Sequence, residues 1–152
     1  MKRKKRVLAI ASGGGHWVQL LRLRPAFAGH DVTFVTTLNG LQDAIPDARV
    51  MIVSDASRNN PANIFLLVIQ LLIALVRTRP DVLVTTGAAP GVVALRLAKF
   101  FGIRTLWIDS IANAEDLSLS GKMALGHADL CLSQWKEVAA RCAGVEYKGS
   151  IL

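Results

Sequence analysis

The sequence predicts an α/β fold built on a doubly wound parallel sheet. Three observations carry this. Short runs rich in Val, Ile and Thr alternate along the chain with segments whose apolar residues recur at helical spacing. The strand-like runs are mostly apolar throughout, as strands covered on both faces are. Small-residue turns follow the first and fourth of them, where a strand must pass into a helix.

RVLAIAS (6–12) reads as the first strand. HWVQLLRLRPAFAG (16–29) follows as a helix with a closing glycine. HDVTFVTTL (30–38) and ARVMIVSD (48–55) are the next two strands. After NNPAN, IFLLVIQLLIALVRTR (64–79) is a long helix, and DVLVTTG (81–87) is a strand. PGVVALRLAKFFG (90–102) is a helix with Pro at its start and Gly at its end, the expected asymmetry. IRTLWIDS (103–110) is a strand, SGKMALGHA (120–128) a short helix and DLCLSQ (129–134) a strand. WKEVAARC (135–142) is a helix, and VEYKGS (145–150) begins a last strand. No internal repeat or low-complexity linker intervenes. The reading is one Rossmann-like domain over 1–152, with a basic tail at 1–6.

A chain of 152 residues suffices for one core, and 52% hydrophobic content excludes disorder. The net charge of +7 is unevenly placed. KRKKR at 2–6 supplies five of the 18 basic residues, leaving 13 basic against 11 acidic, a balance of +2. The body has no basic stripe with interleaved aromatics, which argues against nucleic-acid binding. The cluster suits an anionic membrane surface; the plainer reading is a solvated tail. The apolar run behind it is too short, and too soon broken by glycine, for a secretory signal. Cys131 and Cys142 fit no disulfide, zinc or redox pattern and read as reduced core thiols of a cytoplasmic protein. GSIL at 149–152 offers no helical close, so the chain is expected to stop after a last strand or to form half of a larger machine.

Residues 59–76 carry no charge, and only Gln70 interrupts the apolar run from Ile64 to Val76. That run rises about 20 Å, short of a hydrocarbon core of about 30 Å, so it is a poor membrane span. A helix covering one sheet face keeps a polar outer stripe. This one has almost none. Beyond packing on the sheet, its outer side is expected to meet a partner subunit or lipid, and the basic tail with Arg77 and Arg79 favours shallow membrane contact.

Ligands of open α/β sheets bind beyond the carboxyl ends of the strands. There, ASGGGH (11–16) joins the first strand to a helix. After Ser12, the run Gly13, Gly14 and Gly15 lets backbone N–H groups approach a ligand at a helix N-terminus, which makes an anion site, most often for phosphate. The alternative is a tight turn with no ligand. TTGAAPG (85–91), with Thr86 and Gly87, is a second such turn, and the pair can cradle one extended anion such as a diphosphate. The dinucleotide fingerprint fails because Val18 holds its third glycine position and no acidic residue clearly ends the second strand. The Walker pattern fails because Met123 follows Gly121-Lys122 and Asp116 holds its first glycine position.

His16 stands at the ligand edge, where the partial positive charge of a helix start favours the uncharged imidazole, a candidate general base. Capping the turn or bonding the ligand are its other readings. Asp109 ends the fifth strand at the same edge, as a base, a hydroxyl acceptor or a cap. Glu115 and Asp116 read as solvated, His30 and His127 as turn residues, Trp107 and Trp135 as core. Nothing in the pattern requires a metal or a bound cofactor.

SGGGH after strand one, NNP before the apolar helix, TTGAAPG after strand four, WIDS, LSLSGK and ADLCLSQW, in this order and spacing, resemble the Alg14-like family, including bacterial PssD- and EpsE-type polysaccharide-biosynthesis proteins. The resemblance spans essentially the whole chain. It implies the N-terminal, acceptor-binding domain of a GT-B glycosyltransferase, similar to the first domain of MurG. It further implies a separate Alg13-like partner that binds the nucleotide diphosphate sugar, and a place on the cytoplasmic face of the bacterial inner membrane. The pair would glycosylate a polyprenyl-diphosphate-linked acceptor in exopolysaccharide synthesis, with Ser12, Gly13, Gly14, Gly15, Thr86 and Gly87 at the lipid diphosphate and His16 or Asp109 as base. The family often has Glu at the Asp109 position, and its eukaryotic N-terminal membrane helix is absent here. A non-catalytic recruitment scaffold is the alternative. A nucleotide-sugar-modifying Rossmann enzyme is disfavoured by the broken fingerprint and the lack of a Tyr-x-x-x-Lys pair.

Overall fold

The computed structural model describes residues 3–56 and 60–151. Lys2 of the basic cluster, Asn59 of the NNP stretch and Leu152 lie outside the described residues. In chain order the elements are β1 (Arg6–Ile10), α1 (Gly15–Arg22), β2 (Asp31–Thr36), β3 (Arg49–Ile52), α2 (Pro61–Thr78) and β4 (Val82–Thr85). Then come α3 (Ala88–Phe100), β5 (Arg104–Ile108), α4 (Leu119–Ala124), β6 (Leu130–Ser133), α5 (Lys136–Arg141) and β7 (Val145–Tyr147). The strands form one sheet in the order β3-β2-β1-β4-β5-β6-β7, with every pair parallel. This is the doubly wound sheet the sequence predicts. Its order reverses between β1 and β4, which pair with each other while β1 also pairs with β2.

Helix ends depart from expectation for local reasons. The first helix stops at Arg22 and gives way to a 3-10 turn at Arg24–Phe27, because Pro25 lacks an N–H and cannot continue an α-helix. α2 starts three residues earlier than predicted. The Asn60 side-chain oxygen accepts the Ala62 N–H at 3.1 Å, and Pro61 occupies the first helical position. α3 starts at Ala88, with Pro90 inside its first turn, where the missing N–H has no intrahelical partner to lose.

The main core lies on one sheet face. Leu67, Leu71 and Leu75 of α2 and Val92, Leu95 and Ala98 of α3 pack there against Leu8, Ile10, Leu83 and Trp107. On the other face Trp17 and Leu20 of α1 meet Ala9 and Phe34, with the Trp17 and Phe34 rings edge-on, their centroids 6.0 Å apart. α2 has 18 residues and a mean hydropathy of 1.9, enough by length and composition to cross a membrane. Its buried leucine stripe is nonetheless part of the main core, so insertion would strip that core from the sheet. The predicted lack of a polar outer stripe is realised: Phe65, Ile69, Ile73 and Val76 are all exposed. Cys131 is buried as expected, whereas Cys142 is only half-buried; both are free thiols.

Candidate functional site

The loops after β1 and β4 flank the point where the strand order reverses, the place where an open α/β sheet leaves a crevice. The structure joins them through His16. Its Nδ1 lies 2.9 Å from the Thr86 carbonyl oxygen, and the Thr86 hydroxyl donates to the His16 carbonyl at 2.7 Å. A carbonyl can only accept, so the pairing places a proton on Nδ1, and in the uncharged ring the lone pair is then on Nε2. The contact is tight. Gly87 has φ 131°, and a Cβ there would sit 2.7 Å from the His16 Nδ1. Ala88 follows with φ 65°, a left-handed conformation that is strained for a residue with a side chain. Gly91 lets α3 lie directly on β4, where a Cβ would come within 2.2 Å of the Thr85 hydroxyl.

The three glycines of the first loop differ in what they permit. Gly14 takes φ 74°, ψ −140° as the N-cap of α1, a conformation that only glycine adopts without strain. Gly13 comes close to Leu38, and its N–H donates to the Thr37 hydroxyl at 3.2 Å. A Cβ at Gly15 would meet nothing within 4 Å, so open space lies before the helix start. Val18 N–H donates to the Gly14 carbonyl at 3.2 Å, which makes Gly15, His16 and Trp17 the first-turn N–H groups without a helical acceptor. Ser12 is half-buried and only weakly engaged, with its hydroxyl 3.4 Å from the Gly13 carbonyl.

Two of the expected site residues turn inward. Thr86 is fully buried with its hydroxyl committed to His16, so it holds the histidine loop rather than facing a ligand. Asp109 is 2% exposed. Its Oδ1 accepts from Trp107 Nε1 at 3.1 Å and the Ser118 hydroxyl at 2.5 Å. Its Oδ2 accepts from the Ser118 N–H at 2.8 Å and Asn113 Nδ2 at 3.3 Å. Both oxygens are saturated, and a Cβ on Gly121 would press to 2.6 Å from Oδ1. The expectation of Asp109 as an alternative base is therefore corrected: the carboxylate pins the 109–118 loop to the start of α4 and has no face open to a substrate hydroxyl. No hydrogen bond among the described residues links it to His16.

Residues that sequence reasoning passed over tie α1 to this loop. Gln19, one turn after His16 and buried, accepts from the Ile111 N–H at 3.2 Å and from Gln134 Nε2 at 2.7 Å, and donates to the Ser110 hydroxyl at 3.1 Å. Gln134 Nε2 also donates to the Asp109 carbonyl at 3.0 Å, and its Oε1 accepts the Ile151 N–H at 3.1 Å. Trp107 is core as predicted, while half-buried Trp135 also donates to the Ile111 carbonyl at 2.7 Å. Glu115 and Asp116 are exposed, and the Lys122 ammonium hydrogen-bonded to Asp116 holds that carboxyl below its usual range. His30 is a turn residue that accepts the Lys5 N–H at Nδ1, 3.2 Å away. Burial, reinforced by the Asp109 charge, pushes the Cys131 thiol up to about 12.

Solved structures of similar shape define the class. MurG of Acinetobacter baumannii matches 94% of this chain and 45% of its own, with a TM-score of 0.74 and 13% identity. MnaA of S. aureus in its UDP complex matches 97% and 44%, with a TM-score of 0.70 and 13% identity. At such identities the likeness establishes the fold, a Rossmann-like α/β unit of the GT-B N-terminal type. The family model described as "Oligosaccharide biosynthesis protein Alg14 like" matches residues 41–151, and the chain belongs to that family. The match takes in Thr86, Gly87 and Asp109 and begins after the Ser12–His16 loop. The UDP-N-acetylglucosamine transferase subunit alg14 of Schizosaccharomyces pombe is 34% identical over 79 residues, 47% of this chain and 37% of that protein. The subunit of the same name in Candida albicans is 31% identical over 86 residues, 53% and 39%. The chain spans little more than a third of the curated relatives it matches.

Proposed function

We propose that this chain is the acceptor-binding subunit of a two-chain glycosyltransferase. It would hold a polyprenyl-diphosphate-linked acceptor at the cytoplasmic face of the bacterial inner membrane. An Alg13-like partner would supply the nucleotide diphosphate sugar and, with it, the only cofactor-like molecule the reaction uses. The product would enter an exopolysaccharide. The names of the fungal relatives make UDP-N-acetylglucosamine the first donor to assay.

The observation that carries this reading is the His16 ring held by Nδ1 against the Thr86 carbonyl at the switch point, with no hydrogen bond at Nε2 among the described residues. In the proposed step Nε2 takes the proton of the acceptor hydroxyl as its oxygen attacks the anomeric carbon. The bond from that carbon to the donor's phosphate oxygen breaks, and the nucleoside diphosphate leaves. The imidazolium keeps its Nδ1–H on Thr86 O, which stabilises the charged form through an oriented dipole. The acceptor's diphosphate belongs at the N–H groups of Gly15 and His16, with Ser12, Gly13, Gly14 and Gly87 shaping the approach. Thr86 and Asp109 act by position and not by contact.

The test is transfer by the reconstituted pair. His16→Ala should lower the rate about 10²-fold while acceptor binding persists. A loss below tenfold removes the base assignment. Full activity of the partner alone on a soluble acceptor analogue would leave this chain the recruitment scaffold instead.

A further inference from the structure

Two buried polar atoms on the α1 side of the sheet have no hydrogen-bond partner among the described residues: Trp17 Nε1 and Thr36 Oγ1. Trp17 is 3% exposed and Thr36 is fully buried. A polar group desolvated without a partner weakens the fold that holds it. Both belong to one corner of the molecule. Trp17 stands in the first turn of α1 with its ring edge-on to Phe34. Thr36 closes β2 two residues after Phe34, so strand alternation puts both side chains on the α1 face. Val35 between them faces the main core.

This corner adjoins the first glycine loop. Thr37 follows Thr36, and its hydroxyl accepts the Gly13 N–H at 3.2 Å. Leu38 then lies over Gly13, where a Cβ would come within 2.8 Å of the leucine side chain. The chain turns at Gly40, φ 87°, into a 3-10 turn at Leu41–Ala44 and returns to the core at buried Ile45. The hydrogen bonds of this segment are its own. Gly40 N–H donates to Gln42 Oε1 at 2.9 Å, Asp43 N–H to the Gly40 carbonyl at 3.3 Å and Ile45 N–H to the Gln42 carbonyl at 3.1 Å. Among the described residues, the bond from Gly13 to Thr37 alone ties 37–44 to another part of the fold. Residues 38–44 therefore form a flap fastened at Thr37 and Ile45, and lifting it breaks no hydrogen bond to the sheet.

We propose that residues 38–44 are a lid over an acceptor subsite, in which Thr36 Oγ1 and Trp17 Nε1 bind an uncharged oxygen of the sugar attached to the diphosphate. The chemistry of the corner selects that group. An indole N–H only donates, so the ligand must present an acceptor oxygen. The two segments that meet here, 7–21 and 32–48, hold no lysine or arginine and carry Asp43 and Asp47. A phosphate would enter without a counter-charge, whereas a hydroxyl or acetamido oxygen needs none. Gly13 and Gly14 separate the corner from the N–H groups of Gly15 and His16, so a sugar bound here would sit beside a diphosphate at the helix start. The subsite rests on the acceptor-binding role proposed above and adds to it a pair of groups that read the sugar.

The test is calorimetric titration of the full chain with the methyl, glucosyl, galactosyl and N-acetylglucosaminyl esters of farnesyl diphosphate, which all carry the same charge. Wild type should bind at least one sugar ester about tenfold more tightly than the methyl ester. Thr36→Val keeps the side-chain shape. It should lose about fivefold on that sugar ester and stay within about twofold on the methyl ester. Its urea midpoint should rise by about 0.3 M, because the unpaired hydroxyl is gone. Trp17→Phe should show the same selective loss. Its packing defect acts on both ligands alike, so the ratio of affinities isolates the N–H. A wild type that binds the methyl ester and prefers no sugar ester overturns the subsite and leaves the acceptor-binding role standing. So do variants that keep the wild-type ratio, or a Thr36→Val chain less stable than wild type, whose hydroxyl would then serve the fold. A chain that binds none of these compounds overturns the acceptor-binding role, and the subsite with it.

Discussion

Single residues in this fold owe their identity to different pressures, and the glycines separate them. Gly87 is demanded twice: by φ 131° and by the His16 ring, 2.7 Å from where a Cβ would be. Gly87→Ala should cost about 1–2 kcal/mol of stability, seen as a lower urea midpoint, and should push His16 off the Thr86 carbonyl. Gly15 is under neither pressure, with φ unremarkable and nothing within 4 Å of a Cβ. Gly15→Ala should leave the urea midpoint within about 0.5 kcal/mol of wild type and still raise the KM for acceptor, if a diphosphate packs on that backbone. An unchanged KM would assign the third glycine to nothing. Cys131 gives a pH-dependent signature. Its thiol is raised from 9.0 to about 12 by burial, and the nearby Asp109 charge adds to this. The folded state keeps the proton that the unfolded chain releases above about pH 9. The associated stability is therefore complete below that pH and lost between about 9 and 12. Comparing urea midpoints of wild type and Cys131→Ala across that range should show wild type declining more steeply.

At the scale of elements, α1 carries the site and is held from both sides. His16 bonds the β4 loop and Gln19 bonds the β5 and β6 loops. Gln19→Leu would strand the Ile111 N–H and one Gln134 hydrogen, and would leave the Ser110 hydroxyl with the Ala112 N–H alone. The expected loss is about 1–3 kcal/mol in chemical denaturation, with transfer reduced because α1 loses its register. The same element shows why boundaries are hard to read. The helical spacing of apolar residues runs through to Phe27, but Pro25 forces a 3-10 turn, so periodicity outlasts the helix. α2 is the converse case. Its composition is that of a span, yet Leu67, Leu71 and Leu75 are core, and only the opposite stripe is free.

At the scale of the whole molecule, the sheet order makes the site. The reversal between β1 and β4 brings residues 70 apart in sequence to hydrogen-bond distance, His16 with Thr86. The sequence by itself determined the alternation of strands and helices, the parallel sheet and the glycine loops at the carboxyl edge of its strands. These follow from periodicity, β-branching and backbone freedom, which are local properties. It also marked His16 and Asp109 as candidates, because their residue types and positions after strands are local as well. Only the tertiary structure decided how each is held. Two donors from Ser118, one from Trp107 and one from Asn113 close Asp109 off, whereas His16 Nε2 has no hydrogen bond among the described residues. The same holds for Gln19 and Gln134. Burial and hydrogen-bond saturation depend on which distant segments pack together, and no local pattern in the chain encodes that packing residue by residue.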